Sequence, residues 1–290
     1  MISPRILLAA NNLRPKKQLG QNFLKDISSA EMIVARSGVT PENVVLEIGA
    51  GLGALTIPLA HSTAKVYAVE KDREIIKILR TQMLTSNLTN VELIEEDILK
   101  VDLNAIAKMA GCRIVVMGNL PYNISSQVLV QLIRGRADVS RAILMFQKEL
   151  AQRITARPGS KAYGRLTVML RYCADVGKLA DLKASHFYPK PKVDSEVLEI
   201  IFRDDAEYSA NDETFFFRVI KAAFGKRRKT LKNALAGNIL GIDTRDAEAA
   251  LERAGIDPVR RAETLTVKEF AALSNTLFNF NRKPEHKKMG

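Results

Sequence analysis

The chain has 290 residues, 47% hydrophobic and 26% charged, which suits a globular protein with one large domain and a smaller one. No apolar run approaches the roughly 18 residues of a membrane-spanning helix, and two distant cysteines, Cys112 and Cys173, argue against a disulfide framework and for buried thiols in a reducing compartment. Lys and Arg outnumber Asp and Glu by 44 to 32, a formal charge of +12, which points to a polyanionic partner, nucleic acid first.

The opening residues hold an apolar patch of only ILLAA before the cations Arg14, Lys16 and Lys17. That is a poor secretory leader, so a cytoplasmic protein is expected. From about residue 43, strand-like runs at 44–48, 65–69, 91–95, 113–117, 141–146, 166–172 and 197–202 alternate with helix-sized segments such as 73–84 and 125–133. In the latter, apolar positions 124, 128, 129, 132 and 133 follow a 3.6-residue period. Such alternation builds an α/β fold with a mostly parallel seven-stranded sheet covered on both faces. The Pro-rich stretch 187–192 stands where a long helix would join the last two strands, so an antiparallel edge strand is expected. Beyond residue 204 the pattern changes. Residues 212–282 read as short helices broken at Gly225, Gly237, Gly241 and Gly255.

The division is therefore residues 1–203 and a smaller all-helical domain at 204–290, with the final NRKPEHKKMG as a disordered tail. The helical part carries the densest cation cluster, Lys226, Arg227, Arg228 and Lys229, with Lys232 one turn further on. These five are the candidate RNA-binding residues. The tail adds Arg282, Lys283, Lys287 and Lys288. Three histidines, His61, His186 and His286, lack the spacing of metal ligands, and no metal is expected.

The first chemical constellation is Val44-Val45-Leu46-Glu47-Ile48-Gly49-Ala50-Gly51-Leu52-Gly53, a strand feeding a glycine-rich turn. In an open α/β sheet this turn lies at the strand's carboxyl end, where ligands bind. Gly49 and Gly51 let a ligand approach the backbone. Glu70 ends the next strand, placed to accept the hydroxyl protons of a ribose. A dinucleotide turn would read G-x-G-x-x-G; here the spacing is G-x-G-x-G preceded by Glu47, which resembles the turn of S-adenosylmethionine-dependent methyltransferases. Asp97, after Glu95 and Glu96 at the third strand's end, can accept a hydrogen bond from the cofactor's adenine amine.

The second constellation is Asn119-Leu120-Pro121-Tyr122, closing the fourth strand. Pro121 fixes its own φ and pushes Leu120 into an extended conformation that turns the Leu120 carbonyl toward the site. With the Asn119 side-chain oxygen this makes two acceptors, which suit an –NH2 group, and Tyr122 offers a face for a planar ring. Together they fit a nucleobase with an exocyclic amine, and catalysis by placement rather than by a strong base. Asn123, Ser125 and Ser126 are assigned to capping the helix that follows.

Four segments then identify a family by resemblance: 17–24 (KQLGQNFL), 119–124 (NLPYNI), 187–195 (FYPKPKVDS) and 224–229 (FGKRRK). In this order they resemble the ribosomal RNA adenine dimethyltransferases, over residues 14 to 270. The resemblance implies a Rossmann-like class I methyltransferase fold and dimethylation at N6 of two adjacent adenosines near the 3′ end of small-subunit rRNA. It also implies action on the assembling small subunit, and a monomer is expected. It carries cofactor contacts onto Asn22, Leu24, Gly49, Glu70, Asp97 and Asn119, makes residues 1–25 a lid segment, and casts Phe187 as a second stacking ring opposite Tyr122. This chain has Glu96 where the family shows a small residue. Two other readings remain: the related large-subunit rRNA methyltransferases of macrolide resistance, and a non-catalytic assembly factor. The basic 224–229 segment disfavours the first and an intact Asn119/Tyr122 box the second.

Overall fold

The computed structural model describes residues 2–226, 228–237 and 239–281. Arg227 and the expected tail with its cations lie outside the described residues. Nine strands occur among them: β1 (Phe23–Leu24), β2 (Val44–Ile48), β3 (Lys65–Glu70), β4 (Val91–Glu95), β5 (Ile114–Asn119), β6 (Val139–Gln147), β7 (Ala174–Leu182), β8 (Phe187–Tyr188) and β9 (Ser195–Phe202). Seven form one sheet in the order β4-β3-β2-β5-β6-β9-β7, and β1 pairs with β8 in a two-stranded ribbon. Residues Val45, Leu46, Val66, Ala68, Val115 and Val116 are all buried, as expected for central parallel strands covered on both faces.

Helices Arg73–Thr85 and Ser125–Arg134 match the expected segments, burying Ile75, Ile76, Ile78 and Leu79 in the first and Val128, Leu129, Leu132 and Ile133 in the second. Five helices begin on an aspartate whose carboxylate accepts a first-turn amide: Asp26, Asp72, Asp102, Asp212 and Asp243. Each such cap contributes about 1 kcal/mol.

Three expectations need correction. The run 166–172 is a helix, Arg165–Cys173, not a strand. Four consecutive residues, Thr167 to Leu170, are buried, so the sequence shows a largely apolar run and not a helical period. The missing seventh strand is β7, a polar edge whose residues are largely exposed or half-buried and so lack a hydrophobic signature. The antiparallel strand is not the edge: β9 runs against both β6 and β7 and lies one place inside. Cys112 is exposed rather than buried; Cys173 is buried.

The chain forms two compact units, Met1–Ala151 with Ala174–Phe202, and Gln152–Cys173 with Arg203–Gly290. The boundary expected at 203/204 thus misses 152–173, which joins the second unit because Tyr172 packs on Phe216 at 4.3 Å and Tyr163 on Phe224 at 6.4 Å. That unit is helical, with Glu213–Phe224, Leu231–Leu235, Thr244–Arg253 and Val267–Asn281 packed over Phe216, Leu231, Leu251 and Phe270. Among the described residues no helix is long and apolar enough to cross a membrane.

Candidate active site and cofactor cleft

A cleft opens at the carboxyl ends of β2, β3 and β5, lined by the β2 turn, Glu70, Glu96, Asp97, Asn119–Ile124 and the segment 18–24. It brings together every cofactor and catalytic residue expected from the sequence except Phe187.

The β2 turn is shaped by backbone that L side chains rarely adopt. Gly51 has φ +56°, and a Cβ there would sit 3.2 Å from the Phe23 ring. The Gly51 amide donates to Glu70 Oε2 at 3.0 Å, while Lys71 and Asp72 amides donate to Oε1 at 2.9 and 2.8 Å. Three backbone donors thus hold the Glu70 carboxylate in one pose. Burial pushes its pKa up, and those amides pull it back. Glu47 is more deeply buried, at 1% exposure, and burial pushes its carboxyl up to about 8, with Thr56 opposing and Glu70 adding to the rise. Neither Glu47 Oε2 nor Thr56 Oγ1 completes a hydrogen bond among the described residues.

The structure sorts the three acids after β4. Glu95 turns outward to Arg73. Glu96 accepts the Asp97 amide at 2.7 Å. Asp97 accepts Lys71 Nζ at 2.7 Å and the Leu99 amide at 3.1 Å. The Lys71 ammonium holds the Asp97 carboxyl below the usual range, against a smaller opposing effect of burial.

At the β5 end, Asn119 Nδ2 donates to the Asn22 carbonyl at 2.8 Å. A carbonyl only accepts, so this bond fixes which end of the amide is which and leaves Oδ1 as an acceptor on the other side. Neither Asn119 Oδ1 nor the Leu120 carbonyl accepts a hydrogen bond from another described residue. Tyr122 is half-buried, with its hydroxyl 3.2 Å from Ser195 Oγ. Ser125 does not cap its helix; its hydroxyl donates to the Pro121 carbonyl at 3.0 Å and braces the loop from below, and Asn123 and Ser126 do not cap it either.

Phe187 is a correction. It is 1% exposed, packed in the core with Leu24, Met145 and Val197, and does not line the cleft. Its place in β8, opposite Leu24 of β1, turns the ring into that core. Sequence reasoning also missed Gly118. A Cβ there would lie 2.5 Å from the Ile48 carbonyl, so only glycine lets β5 pass β2 at this point. The glycine before Asn119 was the available signal.

In the helical unit, Lys226, Arg228 and Lys229 are exposed and make no ion pair among the described residues. Phe224 anchors their turn, its ring 5.8 Å from Phe270. Lys232 differs: it is half-buried and bridged to Glu248 at 2.9 Å.

The sequence pattern of one family, ribosomal RNA adenine dimethylase, matches residues 12–279. The chain belongs to that family. It is 52% identical to the ribosomal RNA small subunit methyltransferase A of Desulforapulum autotrophicum, covering 98% of this chain and all of the relative. It is 41% identical to the protein of that name from Myxococcus xanthus, over 96% of each. Among solved structures, a dimethyladenosine transferase from Plasmodium falciparum superposes with a TM-score of 0.75 at 26% identity, covering 90% of this chain and 98% of that one. The 23S rRNA methyltransferase ErmE shares the fold, with a TM-score of 0.65 at 23% identity over 88% and 99%.

Proposed function

We propose that this protein transfers methyl groups from S-adenosylmethionine to N6 of two adjacent adenosines in small-subunit rRNA, during assembly of the subunit and in the cytoplasm. The observation that carries the reading is the pair of acceptors left without a donor among the described residues, Asn119 Oδ1 and the Leu120 carbonyl, beside the half-buried Tyr122 ring.

The donor set of the cleft fits this cofactor. Three carboxylates, Glu70, Glu96 and Asp97, face one ammonium, Lys71, while Glu47, its carboxyl pushed up to about 8 by burial, lines the same cleft in its protonated form. An acidic cleft suits a cationic nucleoside and repels the pyrophosphate of a dinucleotide. Glu70 is aimed for ribose hydroxyls, Asp97 for an adenine amine, and Asn22, Leu24, Gly49 and Gly51 border the same space. The bound cofactor supplies an electrophilic methyl carbon on a sulfonium.

The chain's own residues do the rest. Asn119 Oδ1 and the Leu120 carbonyl accept hydrogen bonds from the two N6–H groups of the unmethylated amine, which favours a pyramidal nitrogen with its lone pair exposed. Tyr122 stacks on the purine and Pro121 keeps the loop extended. No strong base is needed, because the alkylated nitrogen becomes acidic and loses its proton to water. Lys226, Arg228 and Lys229, with Arg227, bind phosphate through charge, and Lys232 contributes less because Glu248 already neutralises it. The small-subunit substrate follows from the relatives' names and from the basic 224–229 turn.

Incubation with tritiated S-adenosylmethionine and undermethylated small subunits, followed by mapping, should place label on two neighbouring adenosines. Label confined to large-subunit rRNA would defeat the substrate assignment.

A further inference from the structure

The Asp72 carboxylate touches none of the groups assigned to chemistry, yet Asp72 ties two of them together. Its side chain is 3% exposed and accepts Lys16 Nζ at 2.7 Å on Oδ1 and Gln21 Nε2 at 2.8 Å on Oδ2. Gln21 Oε1 accepts the Lys16 amide at 2.8 Å, which closes the link on itself. The Asp72 amide meanwhile donates to Glu70 Oε1 at 2.8 Å. One residue beyond Gln21 is Asn22, whose carbonyl is the acceptor that orients the Asn119 amide. The chain between these points has little slack. A Cβ on Gly20 would lie 3.2 Å from Asn123 Oδ1 and 3.3 Å from Pro121 Cβ, so the segment is pressed against the catalytic loop. Phe23 then anchors its far end among Leu7, Leu8, Leu52, Ile75 and Ile78.

We propose that Asp72 is a positioning residue for methyl transfer: by clamping Lys16 and Gln21 it holds the Asn22 carbonyl where it fixes the Asn119 amide, so that Oδ1 faces the target amine. The inference rests on the catalytic reading of Asn119. An amide has two nearly isosteric orientations, and only one presents an acceptor. Nothing on β5 itself selects between them; the selecting group belongs to the N-terminal segment, and the anchor of that segment is a carboxylate at the end of β3. The ribose contact and the methyl-accepting contact are thus set from one side chain, the first through its backbone and the second through its carboxylate.

The test is Asp72→Asn, which keeps shape and a capping oxygen but loses the charge that holds Lys16 and leaves one oxygen for three donors, Lys16, Gln21 and the Glu74 amide. Single-turnover kcat should fall about 10- to 100-fold. Cofactor affinity, measured by equilibrium binding of S-adenosylhomocysteine, should change by less than about threefold, because the backbone amide on Glu70 survives. Lys16→Met, which leaves the helix cap intact, should lower kcat in the same direction, and the double variant should lose no more than Asp72→Asn alone. Should Asp72→Asn fail to fold, Lys16→Met and Gln21→Ala carry the same kcat readout. Unchanged kcat in the folded variants, loss seen only as weaker cofactor binding, or strictly additive losses would each overturn the proposal. Asn119→Ala runs in parallel. If it remains active, the catalytic reading falls; if it is inactive while the Asp72 and Lys16 variants are normal, only the positioning role falls.

Discussion

The cleft and the basic turn use charge in opposite ways. In the cleft, Glu70 is gripped by three backbone amides, Asp97 by a lysine and a backbone amide, and Asp72 by a lysine, a glutamine and a backbone amide. At the turn after Phe224, Lys226, Arg228 and Lys229 stand exposed without ion-pair partners among the described residues. The first arrangement fixes direction, so losing one atom matters greatly. The second supplies field strength, to which each residue adds a similar share.

The largest expected effect breaks the comparison most directly. Asn119→Ala should lower methyl transfer by about a thousandfold or more while rRNA affinity stays within about twofold, read by filter binding and tritium incorporation on the same preparation. A parallel loss of binding would mean that the two regions are not separable.

Next, replacing Lys226, Arg228 and Lys229 together by alanine should weaken rRNA binding roughly 10- to 100-fold and reduce the slope of log affinity against log salt by about 3. Turnover at saturating rRNA should stay near wild type. Lys232→Ala should do less, since its charge is already met by Glu248.

Burial gives a third contrast. Glu47 has its folded pKa raised from 4.5 to about 8. A raised pKa means that the folded state holds the proton more tightly, so its stabilisation is complete below about pH 4.5 and is lost as pH rises through about 8. Glu70, raised by burial as well, acts with the same sign. Melting temperature should therefore fall from pH 5 to pH 9, and Glu47→Gln should flatten that fall. Asp72 has a lowered pKa, so its contribution disappears only in acid, outside this window. A steeper fall in Glu47→Gln would contradict the assignment.

The smallest effect is a control. Lys77→Ala removes an exposed pair with Glu74 on the outer face of its helix and should change stability by less than about 0.5 kcal/mol in a denaturant titration.

What the sequence made legible follows the same divide. The glycine turn, Glu70 and the Asn119–Tyr122 box could be placed in one cleft because each closes a strand at its carboxyl end, a position read from local order along the chain, and β2, β3 and β5 were readable because central parallel strands are continuous apolar runs. Residues 166–172 and 174–182 were misread for complementary reasons: the first buries four consecutive residues and so reads as an apolar run, the second is a largely exposed edge with no apolar run. Phe187 was misplaced because a motif gives a residue's neighbours in sequence, not the direction in which β8 turns its ring. The Asp72 clamp was invisible because Lys16 and Gln21 meet it across more than fifty positions of chain.

The missing Cβ at Gly118 has a further consequence. With 2.5 Å between its would-be methyl and the Ile48 carbonyl, the strand that feeds the glycine turn and the strand that ends in Asn119 touch main chain to main chain. The gap a methyl group must cross is then a ruler cut in peptide units, insensitive to substitutions in the surrounding core. Enzymes sharing this contact can drift widely elsewhere and still keep the same reach.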